Sequence, residues 1–392
     1  MRVLFLAHAY PRFDGDPVGS FILRLAVSLR DQGIAVSTLA PSGPGLATDD
    51  VIEGIPTHRY RYAPRRLETI AYTGTMGQQV RGSWMGRASL MGLIASSFAA
   101  ASRAVRRDRI DVIHAHWWFP GGLVAALVRK TMGTPFVTTL HGSDVRLIEG
   151  TPAGERLFRF VSRHSAAMTA VSSWLAQGAS RIDPTSTPVV APMPVISTLF
   201  RPPDEEERSR DRLLFVGKLT EQKGLHHLLR AMSMMCARPT LDVVGAGRVD
   251  DAHLKRMASE LGLADRVNWL PLLSQADLAD VYRRATVLVI PARDEGLGLT
   301  AVEALLSETP VVAFASGGVP DIVLDGRTGL LVPVGDEALL AGALDRLLAD
   351  TELQRRFGRD GRSYAVRTFG TKAVAETYAR LYRGALAGES RP

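Results

Sequence analysis

Two doubly wound α/β domains in tandem, each a parallel sheet covered by helices on both faces, are what this sequence predicts. Three observations carry the prediction. The chain has 392 residues, too many for one ordinary core, so two domains of somewhat under 200 residues each are expected. Its apolar runs are short, show little polar alternation and are separated by amphipathic stretches, as buried parallel strands with helical crossovers require. Near the middle stands FRPPDEEERSRDR (200–212), rich in proline and charge, the composition of a linker.

Taken in order, RVLFLAHA, AVSTLAP, DVIHAH, PFVTTLH and AAMTAVSS read as strands of the first domain, with helical segments such as GSFILRLAVSLRDQG between several of them. The alternation resumes after residue 205 with RLLFVG, TLDVVGAG, RVNWL, TVLVIPA, PVVAF and GLLVPV. The expected domains are therefore 1–199 and 200–370. Residues 371–392 follow as a helix, by the spacing of Val374, Tyr378, Leu381 and Tyr382. This helix is expected to pack back across the domain junction. Two such sheets would present the carboxyl ends of their strands to a shared cleft, where ligands of these sheets bind. No internal repeat or low-complexity tract is visible.

Composition narrows the setting. One cysteine, Cys236, excludes an intramolecular disulfide and fits a reducing compartment. The opening MRVLFLAHAYPRF has too short an apolar run for a signal sequence, and no stretch reaches the ~18 residues of a membrane span; a cytoplasmic protein is expected. Charge is uneven. Residues 1–200 carry 21 Lys and Arg against 13 Asp and Glu, residues 201–392 carry 26 against 27, and residues 59–109 alone carry 10 against 2. An excess in one segment suits an anionic acceptor or a peripheral contact with the inner face of a membrane, and equally a merely solvated arginine-rich face. Nucleic acid is not among the expected partners.

Several motifs can carry chemistry. In FVGKLTEQKGLHHLL (215–229), Lys218 and Lys223 flank a strand-to-helix turn, where two cations can neutralise a diphosphate; surface lysines also gather in loops for no such reason. In DVVGAG (242–247), Gly245 permits close backbone approach, a weak signal that lacks the remainder of a dinucleotide fingerprint. PARDEGLGLTAVEALLSETPVVAF (291–314) places Glu295 before a Gly-Leu-Gly turn and Glu303 after it. Thr300 and Glu303 have capping-box spacing, which would account for Glu303. Glu295 has no such explanation. A glycosidase pair needs carboxyls about 5 to 9.5 Å apart, whereas eight residues of helix separate them by about 12 Å. The spacing suits better two glutamates holding opposite ends of an extended ligand, hexose at one and ribose at the other. His114, His116, Trp117 and Trp118 end a strand and suit either an acceptor cleft or a packed core. A metal on the His-x-His pair lacks further ligands.

These motifs together resemble the retaining glycosyltransferases of family 4, whose GT-B fold comprises two facing Rossmann-like domains. The resemblance rests on DEGLGLTAVEAL, VGKLTEQKG, VVGAG, TTLHGSDV, GGVPDIV and GDPVGSFILRLAVSL, and spans nearly the whole chain. It implies transfer of a hexosyl group from a UDP- or GDP-sugar to an acceptor hydroxyl, with retention, by front-face substitution in which the leaving diphosphate takes the proton. It implies an acceptor-binding first domain and a donor-binding second one, with no cofactor beyond the donor and no metal. By position, Glu295 would bind sugar hydroxyls and Glu303 the ribose. Lys218 and Lys223 would hold the diphosphate, helped by backbone N–H groups around Leu299 and Thr300, and Gly296, Leu297 and Gly298 would line the sugar pocket. His141 would meet the sugar, Gly19 would admit phosphate and acceptor, and Gly245 belongs to the same donor set. Catalysis would rest on Glu295, His141 and Lys223. The acceptor is open: anionic, lipid-linked, polysaccharide or natural product. Lys218 stands where the family more often has Arg, Ile196 where it has Asp, and Asp321 where it has Glu. The alternatives are a nonhydrolysing sugar-nucleotide epimerase and a catalytically silent nucleotide-sugar-binding protein.

Overall fold

The computed structural model of the chain describes residues 1–72, 76–142, 148, 151–204, 209, 211–245 and 251–388. The chain forms two compact units: Met1–Pro194 with Thr371–Pro392, and Val195–Gly370.

Unit 1 is built on an eight-stranded sheet. Its elements are β1 (Arg2–Leu6), α1 (Ser20–Arg30), β2 (Ala35–Pro41), β3 (Asp49–Ile52), β4 (Ile55–Tyr60), α2 (Met76–Gly82), α3 (Trp84–Asp108), β5 (Val112–His116), α4 (Leu123–Met132), β6 (Phe136–Leu140), α5 (Pro152–His164), β7 (Ala167–Ala170), α6 (Ser173–Ile182) and β8 (Val189–Val190). The strand order is β3-β4-β2-β1-β5-β6-β7-β8, parallel throughout except for the β3–β4 edge. β5 and β6 are buried at every position, which is why they read as continuous apolar runs. β3, β4 and β8 carry no such run and were not legible in the sequence.

Unit 2 contains β9 (Arg212–Val216), α7 (Leu225–Met234), β10 (Thr240–Val244), α8 (Asp251–Glu260), β11 (Val267–Leu270), α9 (Gln275–Arg284), β12 (Val287–Ile290), α10 (Leu299–Leu306), β13 (Val311–Phe314), β14 (Gly329–Val332), α11 (Glu337–Ala349) and α12 (Thr351–Phe369). Its six strands are all parallel in the order β11-β10-β9-β12-β13-β14. This is the doubly wound order, with the direction of winding reversing between β9 and β12. Asp336 and Asp350 cap α11 and α12 through side-chain bonds to Leu339 and Leu353 N–H.

The passage between units departs from the sequence expectation. Unit 2 begins at Val195, not at 200, because Phe200 belongs to its core: the ring is fully buried, edge-on to Tyr282 at 5.7 Å, and its carbonyl accepts from Arg362 at 3.0 Å. The acidic run at 205–208 lies outside the described residues.

The last helix, α13 (Thr371–Ala387), belongs to unit 1 and packs on α1, β5 and β6. Val374, Tyr378 and Tyr382 recur every four residues along its buried face. Tyr378 donates to the Ala191 carbonyl at 3.0 Å, and Tyr382 hydroxyl bonds His114 Nδ1 at 2.7 Å. Both hydroxyls titrate above their usual range because burial penalises the phenolate, Tyr378 at about 12. Removing Tyr378 leaves both a cavity and an unpaired carbonyl. Tyr378→Ala is expected to cost about 3–5 kcal/mol, and Tyr378→Phe only about 1 kcal/mol, read from urea unfolding midpoints.

Candidate functional site

In a doubly wound sheet the ligand crevice lies at the carboxyl ends of the strands where winding reverses. In unit 2 those strands are β9 and β12, and the loops that follow them carry Lys223 and Glu295. The two loops are stitched together. Gly224, in the left-handed region at φ 74°, lies so close to the Pro291 carbonyl that an added Cβ would sit 1.9 Å from it. Gln222 accepts from Arg293 N–H at 2.9 Å and donates to the carbonyls of Arg293 and Asp294 at 3.2 and 3.3 Å. This backbone contact brings Lys223 Nζ onto Glu295 Oε2 as a partly buried ion pair.

Glu295 is pinned from a second side by the loop after β13. Gly318 N–H donates to the Glu295 carbonyl at 2.7 Å, Ser316 Oγ accepts from Asp294 N–H at 2.8 Å, and a Cβ on Gly317 would strike Glu295 O at 2.1 Å. Three loops thus fix one carboxylate. Leu297 is buried, and Gly298 at φ 89° begins α10, whose first N–H groups, at Leu299 and Thr300, precede the first intrahelical acceptors. A partly exposed helix start of this kind favours an anion.

The capping-box expectation for Glu303 is overturned. Gly298, not Thr300, is the N-cap, and no side-chain cap bond forms. The left-handed glycine starts the helix two residues earlier, which moves Glu303 beyond capping reach. Its carboxylate instead accepts from Tyr282 on α9 at 3.0 Å and is nearly buried. Burial first, then the neighbouring carboxylate, raises the Tyr282 hydroxyl well above its usual range, so it remains a donor. Tyr282 was invisible in the sequence, because a tyrosine on an amphipathic helix carries no mark of its partner. Lys218 stands exposed in the turn after β9, where its carbonyl accepts from Thr220 N–H at 2.9 Å. Gly245 has its Cβ direction filled by the Gly217 carbonyl at 1.9 Å. Its lack of a side chain therefore serves loop packing. Gly247 lies outside the described residues.

Unit 1 has its own reversal, between β1 and β5. The loops there bring together His8, Trp117 and, from the end of β6, His141. The His8 ring lies 4.2 Å and the His141 ring 4.9 Å from Trp117. His116 Nδ1 meets His141 Nε2 at 3.0 Å. Burial holds all of these imidazoles neutral: His141 at about 3, His8 at about 4, and His114 and His116 well below their usual value. Gly19, at φ 69°, starts α1 with its Cβ direction 2.6 Å from the Ala9 carbonyl, so no other residue fits that loop. Of HGSDV, residues 143–145 lie outside the described residues.

His114, His116, Trp117 and Trp118 do not line an open surface. The two histidines are fully buried and the tryptophans 7% and 3% exposed. His114 is satisfied by Tyr382 and Thr139, both at 2.7 Å, and Trp118 turns inward onto Phe158 at 5.8 Å. They are core. A groove of about 1270 Å³ in unit 1, lined by Arg2, Ala35, Pro56 and Ile110, opens at the amino-terminal ends of β1, β2 and β4, away from these loops.

Two outcomes follow from this geometry. Gly224→Ala is expected to lower the melting temperature and to detach Lys223 from Glu295, since both φ and the Pro291 carbonyl forbid a Cβ; a thermal melt checks it. The neutral histidines stabilise the fold fully above the unfolded value of about 6.5, and that stability is lost as pH falls towards their folded values, by up to about 1.4 kcal/mol per pH unit for each. Melting temperature is therefore expected to drop from pH 6.5 to 5, with a shallower slope in His8→Asn.

Comparison with known proteins fits this geometry. Residues 198–364 match the family described as glycosyl transferases group 1, and residues 18–192 match glycosyltransferase family 4. A D-inositol 3-phosphate glycosyltransferase of Frankia alni is 35% identical over 70% of this chain and 74% of that protein. One of Corynebacterium glutamicum is 32% identical over 73% and 75%. Sucrose-phosphate synthase from Thermosynechococcus elongatus superposes with a TM-score of 0.80 at 23% identity, covering 99% of this chain and 100% of that one. The Anabaena protein HepE in complex with UDP-glucose gives 0.72 at 18%, covering 97% and 98%. The fold is GT-B, and the chain belongs to the group 1, family 4 glycosyltransferases.

Proposed function

We propose that this glycosyltransferase takes a hexosyl group from a nucleoside diphosphate sugar and transfers it, with retention, to an acceptor hydroxyl. The observation that carries the reading is the meeting of Lys223 and Glu295 beside the start of α10. In that arrangement the lysine and the free N–H groups of Leu299 and Thr300 receive the diphosphate, with Lys218 at the rim, while Glu295 accepts from sugar hydroxyls beside Gly296, Leu297 and Gly298. Until a donor arrives, the lysine and the glutamate neutralise each other. Glu303, oriented by Tyr282, takes the ribose hydroxyls.

In this mechanism the departing phosphate oxygen receives the acceptor proton while the acceptor oxygen attacks the same face that phosphate leaves. The protein supplies fixed charge on the leaving group, an interaction stronger in the transition state than in the ground state. No protein nucleophile and no metal is required. His141 enters by resemblance alone; as a neutral imidazole it would offer a hydrogen bond without adding charge. Gly19 and Gly245 would contribute backbone, not side chain.

The acceptor to test first is D-inositol 3-phosphate, for which the named relatives are called glycosyltransferases. The experiment incubates the enzyme with UDP-, GDP- and ADP-sugars and a panel of hydroxyl acceptors, with and without a chelator. Nucleotide release and the anomeric configuration of the product, by NMR, are read. Chelator-insensitive transfer with retained configuration is expected. An inverted product, an isomerised donor, or donor binding without any turnover would overturn the reading.

Glu295→Ala is expected to lower kcat by about 10²–10³-fold without loss of thermal stability beyond that of the ion pair. Glu303→Gln keeps the acceptor for Tyr282, so it should raise the donor KM several-fold and leave kcat within a few-fold.

A further inference from the structure

We propose that unit 1 docks on an anionic lipid bilayer through the outward face of α3 and the arginines that frame it. The 25 residues of this helix extend about 37 Å. One face, with Leu93, Ala100, Ala104 and Val105, is buried against β2 and α4. The opposite face ought to be polar. It is not: Trp84, Ala88, Met91 and Ala95, spaced by four, three and four residues, are all exposed, Trp84 at 75% and Met91 at 66%. From residue 88 to residue 102 there is no charged side chain.

Positive charge frames this stripe. Arg81 and Arg87 stand at its start and Arg103, Arg106 and Arg107 at its end, all exposed. Arg61, Arg65 and Arg66 are held beside the first half of the helix. Ser89 Oγ donates to the Leu67 carbonyl at 3.3 Å, and Gly92 lets the Tyr62 carbonyl come within 2.2 Å of where a Cβ would stand. Between Glu68 and Asp108 no acidic residue occurs, and Glu68 is itself buried. An apolar stripe within a ring of arginines matches the interface of a bilayer whose headgroups are anionic.

The helix lies on such a surface and does not cross it. Contrary to the sequence expectation that no stretch reaches the length of a membrane span, this helix is long and apolar enough to cross one, but its inner face is committed to the sheet of unit 1. A second copy of the chain is the poorer occupant. A two-fold contact through the stripe would bring one arginine set against another.

The test is co-sedimentation of the full chain with vesicles of phosphatidylcholine, with or without 30% phosphatidylglycerol as the anionic lipid. Binding to the anionic vesicles at 0.1 M salt is expected, at least tenfold weaker on pure phosphatidylcholine and at 0.5 M salt. Trp84→Ser with Met91→Ser should lose tenfold or more with an unchanged melting temperature, since both side chains are exposed. Arg65→Gln with Arg66→Gln should weaken binding only to the anionic vesicles. Absence of sedimentation with anionic vesicles, or undiminished binding by the Trp84/Met91 variant, overturns the proposal. So does a dimer, seen by light scattering, that this variant dissociates while vesicles bind neither form.

Discussion

The contact on which unit 2's site depends is a backbone one, Gly224 against the Pro291 carbonyl. Only a residue without Cβ, in the left-handed region, lets the loop after β9 lie directly on the loop after β12. The Gln222 bonds then lock the pair, and Lys223 extends along Gly217 to Glu295. Ser316, Gly317 and Gly318 hold Glu295 from the other side. The charge pair is therefore positioned by three loops whose own geometry is over-determined, which is how a site keeps charges fixed while a ligand exchanges. A long lysine and a glutamate at an ordinary surface would each sample several rotamers, and their attraction would gain little.

Unit 1 solves a different problem. Its β1–β5 reversal is filled with imidazole and aromatic rings, and desolvation keeps the fully buried His114 and His116 and the partly buried His8 and His141 uncharged near neutrality. The helix returning from residue 371 completes that packing through Tyr378 and Tyr382, whose hydroxyls reach Ala191 and His114. Several polar atoms of this core pair across elements distant in sequence, His114 with Tyr382 and Thr139 and His116 Nδ1 with His141, whereas the buried His8 Nδ1 and His116 Nε2 meet no hydrogen-bond partner among the described residues. The end of the chain is thus part of the folding unit that contains its beginning.

Much of this was legible because parallel strands buried on both faces leave continuous apolar runs. Every strand expected for unit 2 formed, as did the five expected for unit 1. The edge strands β3 and β8 and the penultimate strand β4 were missed, since strands part-exposed to solvent leave no such run. In the site, Glu295 stood out as a loop carboxylate between glycines with no local explanation, and the structure supplies a non-local one. Glu303 was given the wrong local explanation. Its spacing from Thr300 satisfied a capping pattern, but a left-handed Gly298 starts the helix earlier, and the buried Tyr282 takes its carboxylate. Trp117 and Trp118 suited either an acceptor cleft or a packed core, and hydrophobic burial drew both inward.

By itself the sequence determined the two parallel-sheet units, the family, and which charged residues stand at strand ends, because periodicity and glycine placement act over a few residues along the chain. The tertiary structure alone decided what those residues touch. That Lys223 finds Glu295, 72 positions away, that Tyr282 finds Glu303, and that the final helix rejoins unit 1 are consequences of strand order. The order of strands is set by which apolar faces bury most area together, and no local pattern records it.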